Sequence, residues 1–201
     1  MVTRYHPARL ALLVTGCVVL GTGVGLLLTA NLGSDGYSTL VNGIARSSGL
    51  SFMIANLIVS AGFLLLAAVR GLRPDVGTVV QIVVVGFTVS AMLDLLETPD
   101  AWAGRTACLV FAFPVLATGI AAYLGSNLGA GPAEAAALAW DPPVPFKWSY
   151  SAVQGGGAVV GWLLGAAVGP GTLAVVLLLG PAVDLAARTL RLNVTQARAQ
   201  H

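Results

Sequence analysis

Long runs of apolar residues, separated by short polar segments, dominate the hydropathy pattern of this chain. A helix that crosses a lipid bilayer needs about 20 mostly apolar residues. Six runs meet this length with few charged side chains, and they cover residues 10–31, 50–69, 77–96, 107–127, 148–168 and 172–187. The last run continues amphipathically to Leu192. The pattern predicts an all-α, polytopic membrane protein with six transmembrane helices.

The composition supports this prediction. The chain has 201 residues, of which 57% are hydrophobic and 9% are charged, whereas a soluble domain has about 25% charged residues. So few charges could not cover the surface of a soluble globule, and so much apolar surface excludes a disordered chain. The net charge of +2 gives no indication of nucleic-acid binding. The spans leave no room for a soluble domain, so we expect one membrane domain over residues 1–201.

The basic residues predict an orientation, because cytoplasmic loops of membrane proteins are enriched in Lys and Arg. The first run is longer than the apolar part of a signal peptide, about 7–15 residues, and is interpreted as a retained span. With the N-terminus inside, eight of the ten basic residues share one side, and these are Arg4, Arg9, Arg70, Arg73, Lys147, Arg188, Arg191 and Arg198. We therefore expect a multi-pass protein with both termini, and a tail at 193–201, in the cytoplasm.

The choice of residues suggests a bacterial source. Nine of the ten basic residues are Arg, and Ala, Gly and Val are abundant, as in proteins from GC-rich genomes. The expected location is the bacterial inner (cytoplasmic) membrane, with the lipid bilayer as the principal partner.

Part of the chain recurs. Six residues of the first run return 96 positions later in the fourth run: Thr22, Gly23, Leu28, Asn31, Leu32 and Gly33 match Thr118, Gly119, Leu124, Asn127, Leu128 and Gly129. A second set returns 94 positions later: Gly77, Thr78 and Gly86 match Gly171, Thr172 and Gly180. We predict a duplication, with repeat A at 9–97 and repeat B at 105–192. Each repeat holds three spans, and because three is odd the second copy enters the membrane inverted.

Inverted repeats are typical of secondary transporters and channels, where the ligand lies near the pseudo-two-fold axis between the halves. The alternative is that inverted duplication is only an economical way to build a helical bundle, without any transport activity. Both interpretations remain open at the level of the sequence.

A short helix is predicted after each Asn-Leu-Gly sequence. Asp35 is a good N-cap for the first, while Pro132 suits the first position of the second and Glu134 its first turn. Helices of about ten residues are too short to span a bilayer, so each is either re-entrant or interfacial. If they are re-entrant, backbone breaks would expose amide groups that bind polar substrate groups, and these breaks are Gly33, Gly36, Gly129 and Gly131.

Four polar side chains fall within the predicted spans, and such residues are functional candidates because burying them in a membrane is costly. They are Asn56, Asp94, Gln154 and Asp184. The alternatives are an interfacial position for Asp94, a local ion pair between Asp184 and Arg188, and interhelical hydrogen bonds for Asn56 and Gln154.

Sequence patterns of catalytic and metal sites do not occur, so we expect neither an enzyme nor a cofactor or metal. Cys17 and Cys108 lie in apolar runs and are interpreted as core residues. Glycines recur every four residues in the fifth run, which allows close helix packing between spans or in a homodimer. These glycines are Gly157, Gly161 and Gly165.

Two motifs carry a family resemblance. The sequences N-L-G-A-G-P-A-E at 127–134 and G-W-L-L-G-A-A-V-G-P-G-T at 161–172 resemble those of the YczE-like (YczE, YyaS and YitT) bacterial integral membrane proteins. The resemblance implies a small multi-span protein without a generally established activity. It also implies an Arg and a Glu in the fifth span, where this chain has Tyr150 and Gln154. A neutral pair there would suit a substrate that is bound by hydrogen bonds.

The leading functional hypothesis is a secondary-transporter-like carrier of a small polar or amphipathic molecule. The residues expected to bind substrate are Asn31, Asp35, Asn127, Glu134, Tyr150 and Gln154. The acids of the two short helices are candidates for coupling to a cation or a proton, and Asp94 and Asp184 are further candidate intramembrane acids. The alternative is a membrane-embedded interaction or regulatory protein without transport activity.

Overall fold

The computed structural model describes residues 5–192, and this part of the chain forms helices and no strand. The predicted cytoplasmic tail at 193–201 lies outside the described residues. The helices are α1 (Pro7–Ala30), α2 (Gly36–Ser48), α3 (Phe52–Val69), α4 (Val76–Leu95), α5 (Trp102–Gly125), α6 (Pro132–Ala139), α7 (Phe146–Leu163) and α8 (Pro170–Thr189).

Five of these helices are long and apolar enough to cross a membrane, namely α1, α3, α4, α5 and α8. They correspond to five of the six predicted runs. The remaining run became α7, whose first half is diluted by polar residues such as Lys147 and Gln154. It also ends at Leu163 rather than at 168, and Gly165 beyond it has a φ of 92°. Over residues 5–192 the protein is therefore all-α, with five candidate membrane spans.

Helix α1 lies at the centre of the bundle, where it packs against α4 and α5. Glycine makes the contact with α5 close. A methyl group at Gly23 would lie 2.8 Å from the backbone nitrogen of Leu116. A methyl group at Gly119 would overlap the backbone of Leu20. Since Gly23 and Gly119 are one of the recurring pairs, the same residue makes the same close approach in each half of the chain.

The two short helices lie inside the bundle, because α2 and α6 each pack against both α3 and α7. Helix α2 begins beside the middle of α7, where a methyl group at Gly36 would overlap the backbone of Gln154. Five of the eight residues of α6 are buried, and they are Pro132, Ala133, Ala135, Ala136 and Ala137. Most of α6 is therefore covered by its neighbours, while Glu134, Leu138 and Ala139 remain partly exposed.

The glycine stripe of α7 is used within the chain. Gly157 approaches the carbonyl of Gly36, and Gly161 approaches Thr39 and Gly43 of α2. Gly165 lies beyond the end of the helix with no atom within 4 Å of an added methyl group. The close packing predicted for this stripe is therefore a contact between α7 and α2, and the homodimer stays a prediction.

The two Asn-Leu-Gly sequences have matching backbones. Asn31 and Asn127 have φ values of 51° and 63°, and the following glycines, Gly33 and Gly129, have 103° and 138°. Asn and Gly are the residues that tolerate this left-handed region best. At both places the chain leaves a long helix and turns towards a short one.

Each Asn-Leu-Gly sequence then contacts the other half of the chain. The Leu32 carbonyl accepts a hydrogen bond of 2.9 Å from the Gly171 amide at the start of α8. The Leu128 carbonyl accepts one of 2.8 Å from the Gly77 amide at the start of α4. The two sets of recurring residues, which are far apart in sequence, thus meet in space.

Candidate functional site

Polar side chains from α2, α3, α6 and α7 meet where the two short helices begin. We call this group the central polar cluster, and it consists of Asp35, Tyr37, Asn56, Ser60, Glu134, Tyr150 and Gln154. Four of the six predicted substrate-binding residues therefore belong to one cluster, and they are Asp35, Glu134, Tyr150 and Gln154.

Gln154 connects α2 to α7. Its Oε1 atom accepts a hydrogen bond of 2.9 Å from the backbone amide of Tyr37. Its Nε2 atom donates one of 2.8 Å to the hydroxyl of Tyr150. The amide of Tyr37 lies in the first turn of α2, where no carbonyl of the helix is available to it. Gln154 thus satisfies a donor that the start of a helix would otherwise leave unpaired.

Tyr37 extends the hydrogen-bonded network to α3. Its hydroxyl donates to the Oδ1 atom of Asn56 over 2.8 Å and lies 2.7 Å from the Ser60 hydroxyl. Asn56 in turn donates to the Ile82 carbonyl of α4 over 2.9 Å. Asn56 is 3% exposed, and its amide joins three helices. This is the interhelical hydrogen bonding that was one of the two interpretations of Asn56.

The two acids lie at the beginnings of the two short helices. Asp35 is the N-cap of α2, and its Oδ2 atom accepts a hydrogen bond of 2.9 Å from the Ser38 amide. Glu134 lies in the first turn of α6, and its Oε2 atom is near Gly131 and the side-chain amide of Gln81. Both positions suit a negative charge, because the N-terminus of a helix carries a partial positive charge.

Neither acid has a basic partner. Asp35 and Glu134 are close enough for their charges to repel each other, and both affect the Tyr150 hydroxyl. Within residues 5–192, no Lys or Arg contributes to the electrostatic environment of either carboxyl group. Both side chains are partly exposed. Two acids whose charges interact and that lack a counter-ion can bind a proton or a cation, which would relieve their repulsion.

Other predicted site residues lie elsewhere. Asn31 caps the end of α1, and its Oδ1 atom accepts a long hydrogen bond of 3.4 Å from Arg46. The side chain of Asn127 donates to the Gly125 carbonyl, also over 3.4 Å. Asp94 and Asp184 are exposed near the ends of α4 and α8. The central polar cluster contains none of these four residues.

Two cavities accompany the first Asn-Leu-Gly sequence. The larger has a volume of about 190 Å³, and we call it the α1–α2–α4 cavity. It is lined by Leu28, Thr29, Asn31, Asn42, Arg46, Leu93, Leu96 and Thr98. The smaller has no room for a water molecule and is lined by Leu27, Leu28, Asn31, Gly33, Asn42 and Ala167. Neither cavity includes Asp35 or Glu134.

The described residues contain no group of three metal-ligating side chains. Cys17 is a buried free thiol and Cys108 is a partly buried one.

Sequence reasoning missed several residues at both sites. Tyr37 and Ser60 belong to the central polar cluster, and Thr29, Asn42 and Arg46 belong to the α1–α2–α4 cavity. Tyr37 lies two residues after the N-cap Asp35, so its place near that acid was detectable. In the sequence, Arg46 is one of the two basic residues, with Arg105, that fall outside the predicted cytoplasmic side. The pattern of charges does not show which helices surround it.

Comparison with known proteins places the chain in a family. A family model described as a family of unknown function, DUF6198, matches residues 7–188. An "Uncharacterized protein" of Haemophilus influenzae is 26% identical over 166 residues, which cover 82% of this chain and 76% of that protein. No solved structure matches significantly. Because the family model extends from the start of α1 into the last turn of α8, the chain belongs to DUF6198, a family of unknown function.

Proposed function

We propose that this protein is a secondary-transporter-like carrier of a small polar or amphipathic molecule in the bacterial inner membrane. In this proposal the chain consists of two inverted repeats, α1–α4 and α5–α8, and α7 serves as a sixth span beside the five apolar ones. The termini lie in the cytoplasm. The resemblance to YczE-like membrane proteins is part of the same proposal.

Reciprocal contacts support the inverted repeat. The pair Gly23 and Leu116 has its counterpart, 96 positions on and with the halves exchanged, in Gly119 and Leu20. The hydrogen bond from Gly171 to Leu32 has its counterpart in the bond from Gly77 to Leu128. Exchange of this kind is the property of an isologous, two-fold contact. Inverted halves can rock against each other around a site between them.

The central polar cluster is the observation that carries the transport proposal. It brings Asp35 and Glu134, at the N-termini of the two short helices, close enough for their charges to interact, without a basic partner in the described part of the chain. Buried helix ends at repeat interfaces form the substrate and ion sites of many transporters. In this proposal Gln154 and Tyr150 bind substrate by hydrogen bonds, and the two acids exchange a proton or a cation during transport.

One observation favours the alternative, a membrane-embedded interaction or regulatory protein. The contacts beside the cluster are closely packed, since Gly36 touches the backbone of Gln154 and Gly157 touches Gly36. The two cavities also lie away from the acids. In the transport proposal this packing corresponds to an occluded conformation, whereas in the alternative it is the permanent state.

The test is solute uptake by the full chain in proteoliposomes under an imposed pH gradient. The variants are Glu134→Gln, which removes one acid of the cluster, and Asp100→Asn, which removes an exposed acid between α4 and α5 as a matched control. We expect uptake of at least one solute that falls about tenfold or more in Glu134→Gln and is unchanged in Asp100→Asn.

Thermal unfolding of each purified variant accompanies the uptake assay, so that loss of folding is distinguished from loss of transport. Uptake that is equal in Glu134→Gln and wild type would remove the assigned role of the acids. If a broad panel of solutes shows no uptake by folded wild-type protein, the interaction alternative replaces the transport proposal.

A further inference from the structure

The α1–α2–α4 cavity lies between the C-terminal ends of α1 and α4 and the second half of α2. One basic group, two carboxamides and two hydroxyl groups line it, together with three leucines, and these residues are Arg46, Asn31, Asn42, Thr29, Thr98, Leu28, Leu93 and Leu96. Its volume of about 190 Å³ is smaller than that of pockets for drug-sized ligands, about 300–1,000 Å³. It suits a small solute.

The positive charge of the cavity is not neutralised. The Arg46 guanidinium donates one long hydrogen bond of 3.4 Å to Asn31, although it has five N–H groups to donate. Arg46 forms no ion pair with an acid of the described residues. Arg46 is exposed, as is Glu97, the acid between the lining residues Leu96 and Thr98. Most of the donor capacity of the guanidinium is therefore open to a ligand.

Thr29 has a buried hydroxyl group without a partner among residues 5–192. It is 3% exposed, and its Oγ1 atom is buried with no hydrogen bond. A threonine within a helix commonly donates to the carbonyl four residues earlier, and Thr15, Thr22 and Thr88 do so here over 2.7–2.9 Å. A buried polar group without a partner is costly, and a ligand oxygen in the cavity would satisfy this one.

The fold does not require this cavity. At the corresponding positions of the second half, 96 residues on, Thr29 is replaced by Gly125, Asn42 by Leu138 and Arg46 by Pro142. The side chain of Leu192 covers Gly125 there, with atoms 3.1–3.3 Å from an added methyl group. The same backbone is therefore compatible with a closed, apolar surface. The charged and polar lining is particular to the first half.

We propose that the α1–α2–α4 cavity binds a small organic carboxylate. Its carboxylate group would accept hydrogen bonds from the Arg46 guanidinium and from the side chains of Asn42 and Thr29, and its short apolar part would pack against Leu93 and Leu96. Arg is the residue best suited to carboxylates, because its planar donors match the two oxygens. This inference rests on the proposed function, since it names the chemical class of the carried molecule and its binding site on the outer side.

Arg46 also lies in the last turn of α2, where any positive charge stabilises the end of a helix. The test must separate this structural role from binding. Arg46→Lys keeps the positive charge at the helix end but loses the paired donors of the guanidinium. Arg46→Gln loses both the charge and the paired donors. Arg73→Gln removes one positive charge from an exposed loop and is the matched control.

The experiment is titration calorimetry of the full chain in detergent with sodium butyrate, with butyramide as a neutral probe of the same shape and sodium chloride as the salt control. We expect butyrate to bind wild type and Arg73→Gln equally. Binding is expected to weaken about tenfold or more in Arg46→Gln, because a hydrogen bond to a charged group is lost, and by a smaller factor in Arg46→Lys. Butyramide should bind at least about tenfold more weakly than butyrate.

A second variant keeps the test decisive if Arg46→Gln does not fold. Asn42→Leu introduces the residue found at the corresponding position of the second half, leaves Arg46 in place, and is expected to abolish butyrate binding by filling the cavity. Equal binding of butyrate to wild type and to a folded Arg46→Gln or Asn42→Leu would overturn the inference, as would the absence of butyrate binding to wild type.

The failure of this inference is distinguishable from that of the proposed function. Glu134→Gln alters the central polar cluster and leaves the lining of the α1–α2–α4 cavity unchanged. Butyrate binding that persists in Glu134→Gln, in a protein that transports nothing, would retain the binding site and remove the transport proposal. Transport of a neutral solute without any butyrate binding would retain the transport proposal and remove the binding site.

Discussion

The end of α1 and the end of α5 have the same backbone and different surroundings. At both ends an Asn and a Gly adopt left-handed conformations, and the intervening leucine binds the start of a helix from the other half. The first end borders a polar cavity that contains Arg46, whereas Leu192 covers the second at Gly125. Backbone geometry is common to the two halves, and the side chains that could recognise a ligand belong to one.

The two short helices differ in a similar way. Asp35 caps α2 with its side chain, whereas the N-cap of α6 is Gly131, whose amide donates to the Tyr123 hydroxyl over 2.7 Å. The acid of the second helix is Glu134, three residues further on. Both helices thus have a carboxyl group at the positive end of the helix dipole, but different residues supply it.

The largest expected effect tests whether the two halves are equivalent in backbone packing. A methyl group at Gly171 would lie 2.5 Å from the Gly33 carbonyl oxygen, and one at Gly77 would lie 2.5 Å from that of Leu128. Gly171→Ala and Gly77→Ala should each lower the free energy of unfolding by about 1–3 kcal/mol, the usual cost of overpacking. Gly180→Ala is the control, since nothing lies within 4 Å of the added group. Unfolding in mixed micelles measures the stability of all three variants. If only one of Gly171→Ala and Gly77→Ala is strongly destabilised, the two halves are not equivalent in backbone packing.

A smaller effect is expected at the two asparagines. Asn31→Ala and Asn127→Ala place an alanine in the left-handed region, which costs roughly 1–2 kcal/mol, while Asn→Gly at the same positions should cost little. The same unfolding assay applies. If Asn→Gly is as destabilising as Asn→Ala at one position, the side chain of that asparagine has a role beyond the turn.

The smallest effect concerns the unpaired hydroxyl. Thr29→Val should leave the stability of ligand-free protein unchanged or raise it by up to about 1 kcal/mol, because it removes a buried polar atom without a partner. Thr88→Val is the comparison, since the Thr88 hydroxyl donates to the Val84 carbonyl over 2.7 Å. A clear loss of stability in Thr29→Val would show that its hydroxyl has a partner in the protein.

The sequence predicted the long apolar helices closely. The run 10–31 became α1 at Pro7–Ala30, and the run 77–96 became α4 at Val76–Leu95. The N-cap role of Asp35 and the first helical position of Pro132 were also predicted correctly. These features depend on hydropathy and on backbone preference, which are properties of a few neighbouring residues. The end of α7 was wrong by five residues because an apolar run does not reveal that Gly165 adopts a positive φ.

The contacts between distant parts of the chain were beyond the sequence. The pattern of glycines in α7 was compatible with a homodimer or with packing between spans, and the structure places Gly157 and Gly161 against α2. The site residues were divided in the same way. Gln154 and Glu134 joined the central polar cluster, whereas Asn31 became the C-cap of α1 and Asn127 a turn residue just beyond the end of α5. A helix cap and a ligand-binding residue have the same chemistry, so only their neighbours distinguish them.

For this protein, the sequence by itself determined the helical character of the chain, the apolar helices and the two Asn-Leu-Gly breaks, because each results from local hydropathy or local backbone freedom. Only the tertiary structure decided that α2 and α6 each pack against α3 and α7, that Asp35 and Glu134 belong to one polar cluster, and that Arg46 borders a cavity with the unpaired Thr29. Those relations join residues up to 117 positions apart, as in the bond between Tyr37 and Gln154, and they arise from the way the helices pack.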